Sequence, residues 1–490
     1  MKSIQKSMVI GMMLNNNVNI SYRYPMNDYE KFLASKIFLD KKTGFNVDIK
    51  ELNPKLFDWQ KVIVKWAIGK GRACLFEDCG LGKTPQQLEW GRLVVKKENS
   101  PVLILAPLAV AEQTYREGLK FNIDVNICSR MSNIKKGINI TNYEKLHKFN
   151  LDEFVGIVLD ESSILKNFSG SIRNAIIEKT KNIPYRLACT ATPAPNDYIE
   201  LGNHSEFLGI MSRSEMLASF FINDTANTGN WRLKGHVKDN IFWEWLSSWT
   251  VMITKPSDIG FEDVGFSLPK IFYHEVIIKS NKGKPKYGFG LLGNAASTLN
   301  DRRRVRRETI DIRCKYAADL INKTDDIWVS WCNLNDEGIA LKKYIEDSVE
   351  VAGRHPEDIK KKRMIGFADG KVKRIITKPK IAGLGMNWQV CSKAAFVGLS
   401  DSWEQFYQAV RRIWRFGQSK EVHIYIIIEE REKKVLANIK RKEAQAKDMI
   451  IGMMSHMINL TKKEIKSSER EYIDYTTTVK MELPKWIMKS

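Results

Sequence analysis

Cysteine is scarce in this chain: seven residues in 490, with no C-x-x-C pair among them. Several, such as Cys74 and Cys332, sit inside apolar runs, the pattern of reduced, buried thiols rather than of a disulfide framework or a metal ribbon. Also missing is any apolar stretch long enough to span a bilayer. The opening MKSIQKSMVIGMMLNNN carries two lysines and a short apolar run but no small-residue cleavage site, so it reads as mature sequence of a soluble, cytoplasmic protein. No tandem repeat or low-complexity tract stands out. Acidic residues are the minority, 57 Asp plus Glu against 78 Lys plus Arg, for a net charge of +21. That imbalance points to a polyanionic partner, nucleic acid first; the alternative is a basic surface without such a partner.

What is present is a chain that can bury cores. Hydrophobic residues make up 43%, and the length predicts roughly two or three domains. From about Leu56 to Leu201, the short runs ACLF, PVLILAP, INITNY, FVGIVLD and YRLACTAT alternate with helix-like segments. This alternation predicts an α/β lobe with a parallel sheet, and its binding loops emerge from the carboxyl ends of the strands. A second alternation, DIWVSWC, SVEVAG, RIITKP, AAFVGL and EVHIYIII, occupies about Ile310 to Glu430. Between the two lie aromatic-rich segments with helical spacing, read mostly as core. They are followed by a Gly/Lys loop and the basic cluster DRRRVRR. Arg302, Arg303 and Arg304 of that cluster are candidate phosphate contacts, a solvated helix face being the alternative. The expected organisation is an accessory segment over 1–50, a first lobe over 51–202, a helical insert and basic linker over 203–309, a second lobe over 310–430 and a helical tail over 431–490.

Two short motifs bear on chemistry. EDCGLGKT, Glu77 to Thr84, joins a strand to a helix, where backbone N–H groups at the positive helix end attract phosphate. Gly80 and Gly82 would shape that turn, Lys83 would reach the β/γ-phosphates, and the Thr84 hydroxyl would ligate Mg²⁺. The first glycine of the usual pattern is replaced by Glu77. Asp160 and Glu161 end the apolar run FVGIVL. Adjacent carboxylates there suit a division of labour, with Asp160 holding Mg²⁺ and Glu161 orienting and deprotonating the attacking water.

The series of motifs resembles superfamily 2 helicases, and within them the Swi/Snf-related branch of DNA translocases. LFDWQKVIVKW is similar to the Q motif, which implies that Gln60 reads the adenine edge. EDCGLGKT is similar to the family's phosphate loop, DESSILKN to its D-E-x-x-x-x-K-N motif, and CTATPAPND to the T-x-T-P motif. In the second half, WVSWCNLNDEG, the G, R and F of AGRHPEDIKKKRMIGFADG, ITKPKIAGLGMNWQ and QAVRRIWRFGQ resemble motifs IV to VI. The resemblance implies two tandem RecA-like lobes and an ATP site completed by Arg412 and Arg415 as arginine fingers, with Gly385 and Gln408 as further nucleotide contacts. It also implies grips on the DNA backbone in the loops Pro107–Ala109, Thr141–Tyr143 and Lys378–Gly385. Three departures stand out: Ser162 and Ser163 follow Glu161 where an Ala-His pair is usual, Arg411 replaces a frequent Asp, and Trp414 replaces a His. Coupling of the acidic pair to the T-A-T segment is accordingly expected to run through a hydroxyl. The implied activity is an ATP-dependent translocase on duplex or branched DNA, of a compact bacterial or phage type. The alternatives are an RNA-stimulated ATPase and a DNA-binding scaffold without turnover. A protein partner would dock on the terminal segments.

Overall fold

The computed structural model describes residues 42–107, 110–166, 170–223, 231–234, 241–279, 299–382 and 386–466. Most of the expected N-terminal accessory segment lies outside these residues. So do Ala109 and Gly385, while Arg302 and Arg303 belong to a described helix whose side chains there are not described.

The first lobe is built on the runs expected to be strands: β1 (Arg72–Glu77), β2 (Val102–Ala106), β4 (Ile138–Asn142), β5 (Gly156–Asp160) and β6 (Tyr185–Thr190), with the short β3 (Val125–Ile127) added. A small antiparallel hairpin, β7 (Phe221–Asn223) with β8 (Trp231–Leu233), follows, and then β9 (Thr250–Ile253) returns to the main sheet. The order is β3-β4-β2-β5-β6-β1-β9, and every pairing is parallel. All five residues of β2, of β4 and of β5 are buried, as a parallel sheet covered on both faces requires. One face packs Trp59, Ile63, Leu88 and Trp90. The other packs Phe207, Phe242, Trp245 and Trp249, so the aromatics of the intervening segment belong to this core. Side chains of this size contribute about 1.5–3 kcal/mol each on full burial.

The second lobe contains β10 (Ile271–Ile278), β11 (Trp328–Cys332), β12 (Ser348–Val351), β13 (Arg374–Thr377), β14 (Lys393–Val397) and β15 (Val422–Glu429). Its order is β10-β15-β14-β11-β13-β12, again all parallel. Both sheets recruit an edge strand, β9 and β10, from the segment read as a helical insert.

The basic cluster divides by helix geometry. In the helix Leu299–Glu308, Arg306 turns inward and donates to Glu432 at 2.8 Å, while Arg304 is two-thirds exposed and pairs with Glu308 at 3.8 Å. Beyond β15, the helix Lys433–Lys466 begins in the core of the second lobe, through Val435, Leu436, Ile439 and Ala446. It ends in the core of the first, through Met453, Met454 and Met457. Among the described residues no helix is long and apolar enough to cross a membrane.

Candidate functional site

The sheet order decides which loops meet. In the first lobe β6 lies between β1 and β5, so the loop after β1, the acidic pair after β5 and the T-A-T segment after β6 emerge side by side. Opposite them stands the turn that follows the helix Trp403–Val410 of the second lobe. A cleft of about 340 Å³ opens between the lobes, lined by Gln60, Gly80, Gly82, Lys83, Thr84, Asp160 and Glu161 from one side and by Arg412 and Arg415 from the other.

The loop after β1 is shaped for close approach. Gly80 has φ +94°, and a Cβ there would lie 2.9 Å from the backbone nitrogen of Phe416 in the other lobe. Gly82 has φ +75°, and its Cβ would lie 2.4 Å from Gln60 Nε2. Only glycine tolerates both the conformation and the contacts. Gly82 caps the helix Lys83–Glu98 without a side-chain hydrogen bond, which leaves the first N–H groups of the helix to the cleft. Lys83 Nζ donates to the carbonyls of Glu77 at 2.8 Å and Asp78 at 3.1 Å, so the cation lies across the loop. Gln60 is buried, accepting from Phe57 N at 3.1 Å and donating to Leu81 O at 3.0 Å; it ties the start of the helix Asp58–Lys70 to the loop.

Asp160 is held by Gln87, whose amide donates to Oδ1 at 2.9 Å, and its carbonyl accepts from Tyr143 Oη at 2.8 Å. Burial pushes the Asp160 carboxyl above its ordinary value, with the Gln87 amide opposing part of the rise. A divalent cation at this carboxylate and the Thr84 hydroxyl would offset that desolvation, and the donor set, hard oxygens only, fits Mg²⁺. Glu161 has φ +59°, a left-handed conformation that costs a non-glycine residue about 1–3 kcal/mol. Thr190 Oγ1 donates to its carboxylate at 3.0 Å and Ser163 Oγ at 3.4 Å. Glu161 thus meets the T-A-T segment through that segment's own hydroxyl, Thr190, and not through Ser162 or Ser163, from which the coupling was expected. Ser162 turns away to His204 Nε2 at 3.0 Å. Burial lowers the His204 imidazole to about 4, so it is neutral at pH 7.

Arg412 and Arg415 converge on one carbonyl, that of Met386, each at 3.3 Å. Burial first, and the neighbouring Arg412 second, bring the Arg415 guanidinium down to about 10, still charged at neutral pH. Two such cations side by side create a strongly positive wall facing Asp160 and Glu161.

Other expected residues stand elsewhere. Gln408 is buried, bonds Glu404 at 3.4 Å and does not line the cleft. Thr141 is 2% exposed within β4, and Tyr143, in the turn after it, is buried with its hydroxyl on the Asp160 carbonyl, so neither presents a hydroxyl to a polymer as expected. Pro107 follows β2, partly exposed, and Lys378 follows β13 with Nζ on Asn335 Oδ1 at 2.7 Å. Unanticipated in the cleft are Phe57, Phe266 and Phe416, with Phe266 and Phe416 stacked at 4.8 Å between centroids. Gln113, also lining the cleft, accepts from the backbone nitrogen of Asn387 in the other lobe at 2.8 Å.

No protein-family model matches this chain. It is similar to the uncharacterized ATP-dependent helicase YqhH of Bacillus subtilis, at 23% identity over 417 residues, covering 75% of this chain and 73% of that protein. A solved structure of the Sulfolobus solfataricus SWI2/SNF2 ATPase core in complex with dsDNA aligns with TM-score 0.40 and 20% identity, over 86% of this chain and 99% of that one. The resemblance to superfamily 2 helicases read from the motifs holds: the similarity to the helicase extends over three quarters of the chain, and the fold has the two α/β lobes that the motifs require.

Proposed function

We propose that this chain is a nucleic-acid-dependent ATPase of superfamily 2, a Swi/Snf-like translocase that moves along duplex or branched DNA through contacts to the phosphate backbone. One observation carries the reading: Lys83, Asp160 and Glu161 of one lobe and Arg412 and Arg415 of the other line a single cleft. In this reading Lys83 swings from its carbonyl partners onto the terminal phosphates of ATP. Glu161, held by Thr190, takes the proton of the attacking water. Arg412 and Arg415 stabilise the charge that develops on the γ-phosphoryl group, a contribution typically on the order of 10³–10⁵ in rate for an arginine finger. Asp160 and Thr84 would hold Mg²⁺, whose charge would neutralise phosphate oxygens.

Because the fingers belong to the second lobe, turnover requires the lobes to be together. Release after hydrolysis would let two grips on DNA step past each other. Pro107, Lys378 and the exposed Arg304 remain candidate backbone contacts. The net charge of +21 supports a polyanionic track, bound with little base specificity.

The test is steady-state ATPase activity of the wild type and Lys83→Ala with no polymer, single-stranded DNA, duplex DNA, branched DNA and RNA at two salt concentrations. Stimulation by duplex or branched DNA, abolished in the variant, is expected. Stimulation by RNA alone would replace DNA as the track, and activity retained by the variant would remove the phosphate-loop assignment.

A further inference from the structure

Three features with no assigned role meet at one point between the lobes. Asp78, in the phosphate loop, is reached from the second lobe by Arg411 Nη2 at 3.0 Å and by Tyr407 Oη at 2.7 Å. The same Arg411 nitrogen donates to the carbonyl of Cys79 at 2.5 Å. The guanidinium is held near two rings, 5.8 Å from the centroid of Tyr407 and 5.0 Å from that of Trp414, whose own Nε1 is fixed by the carbonyl of Pro269 at 2.7 Å. Burial works most strongly against the Arg411 charge, but the Asp78 carboxylate together with Tyr407 and Cys79 outweighs it and holds the guanidinium above its ordinary value.

Arg411 and Trp414 are the two positions at which the second-lobe motif departs from the family pattern. In space the departures form one device, since the Trp414 ring supports the guanidinium that Arg411 brings to the loop. Two other charged contacts between the lobes, Arg116–Asp369 at 2.9 Å and Lys145–Glu357 at 3.3 Å, are exposed, and pairs of that kind contribute little, while Lys166–Glu404 is partly buried but does not touch the phosphate loop. The Arg411 side chain is 4% exposed, and its partner is the loop that bears Lys83.

We infer that Asp78, Tyr407 and Arg411 are positioning residues that clamp the phosphate loop to the second lobe and so set the register between Lys83 and the arginines Arg412 and Arg415. Arg411 touches neither nucleotide nor water in this role. It fixes where the turn carrying the other two arginines stands over the loop. An ion pair with Arg411 buried and Asp78 28% exposed adds little net stability, but it specifies one geometry among several, because any other closure strands the buried Arg411 charge. The inference rests on the ATPase reading for its kinetic consequence and on geometry alone for its structural one.

The experiment is a double-mutant cycle on Asp78→Asn and Arg411→Gln in the full chain. Asn at 78 can still accept from Cys79 N and Tyr407 through Oδ1, while its amide nitrogen replaces the oxygen that pairs with Arg411, so the contact to Arg411 is the one lost. Each single variant is expected to lose about tenfold or more in kcat, with KM for ATP within about threefold, because ATP binding draws on first-lobe groups that remain in place. The double variant is expected to be no worse than the weaker single. The second readout is the inter-lobe distance between spin labels introduced at Lys136 and Lys371 in a Cys79→Ser background, measured with and without a non-hydrolysable ATP analogue. Arg411→Gln should broaden that distribution in both conditions. Losses that multiply in the double variant, singles that keep kcat, or unchanged distances would overturn the clamp. A wild type without ATP turnover on any polymer would defeat the ATPase reading instead, and the distance measurement would still decide the clamp.

Discussion

The loops after β1 and β11 occupy comparable places, each joining a strand of a parallel sheet to a helix, yet only the first is open to a ligand. After β11, the backbone N–H groups of Asn333 and Leu334 are taken up by the Glu337 carboxylate at 2.8 and 2.9 Å, and Arg313 donates to the same carboxylate at 2.9 Å. Glu337 and Arg313 are fully buried. After β1, two glycines and Lys83 occupy the turn, and the helix that follows has no side-chain cap. The second lobe carries its own anion where the first lobe leaves room for one. The same helix-terminus physics thus serves permanence in one lobe and exchange in the other.

The largest break in this comparison comes from removing the exchangeable site's cation. Lys83→Ala should bring ATP turnover below detection, and Arg412→Ala should lower kcat by about 10³ in the same steady-state assay. Next is the permanent anion: Glu337→Leu leaves buried Arg313 with only the more distant Glu432 carboxylate, at 3.9 Å, and should cost about 3 kcal/mol in urea unfolding. In the open loop, Glu77 is fully buried, and burial lifts its carboxyl from 4.5 to about 7, with Lys83 and Gln86 opposing. Between these two values the unfolded chain ionises while the folded one stays protonated. Stability is therefore fully present below about pH 4.5 and falls as pH rises to about 7, by about 3 kcal/mol. Glu77→Gln should flatten that part of the profile of Tm against pH. The smallest effect is expected for Thr190→Val, which removes the hydroxyl holding Glu161: kcat should fall about tenfold with the affinity for an ATP analogue unchanged in a titration.

Much of this was legible in the sequence. The ten apolar runs read as strands are strands, because each is buried on both faces and its composition shows it. β9 and β10 were not legible. Each closes one edge of its sheet from the intervening segment, and local periodicity does not report which distant strand a run will join. Lys83, Asp160 and Glu161 were readable because each motif is contiguous and ends a strand. Thr141 misled because the resemblance placed a backbone grip at the end of INITNY, whereas all five residues of β4, Thr141 included, are buried in the sheet. The inward turn of Arg306 was not legible: within a dense basic run only helical phase, together with Glu432 far along the chain, sets it. The contacts of Arg411 depend on the approach of two lobes more than 300 residues apart in sequence, 411 against 78, and the only signal was its departure from the family pattern.

The helix Lys433–Lys466, anchored at opposite ends in the two cores, also bears on kinetics. It is a packed strut between the lobes, covalently continuous with the second and docked non-covalently on the first, in addition to the chain that crosses from β9 to β10. Each lobe thus meets the other at a high effective concentration, set by geometry and independent of how much protein is present. Reassembly of the cleft is a first-order event, so turnover per molecule should not change on dilution.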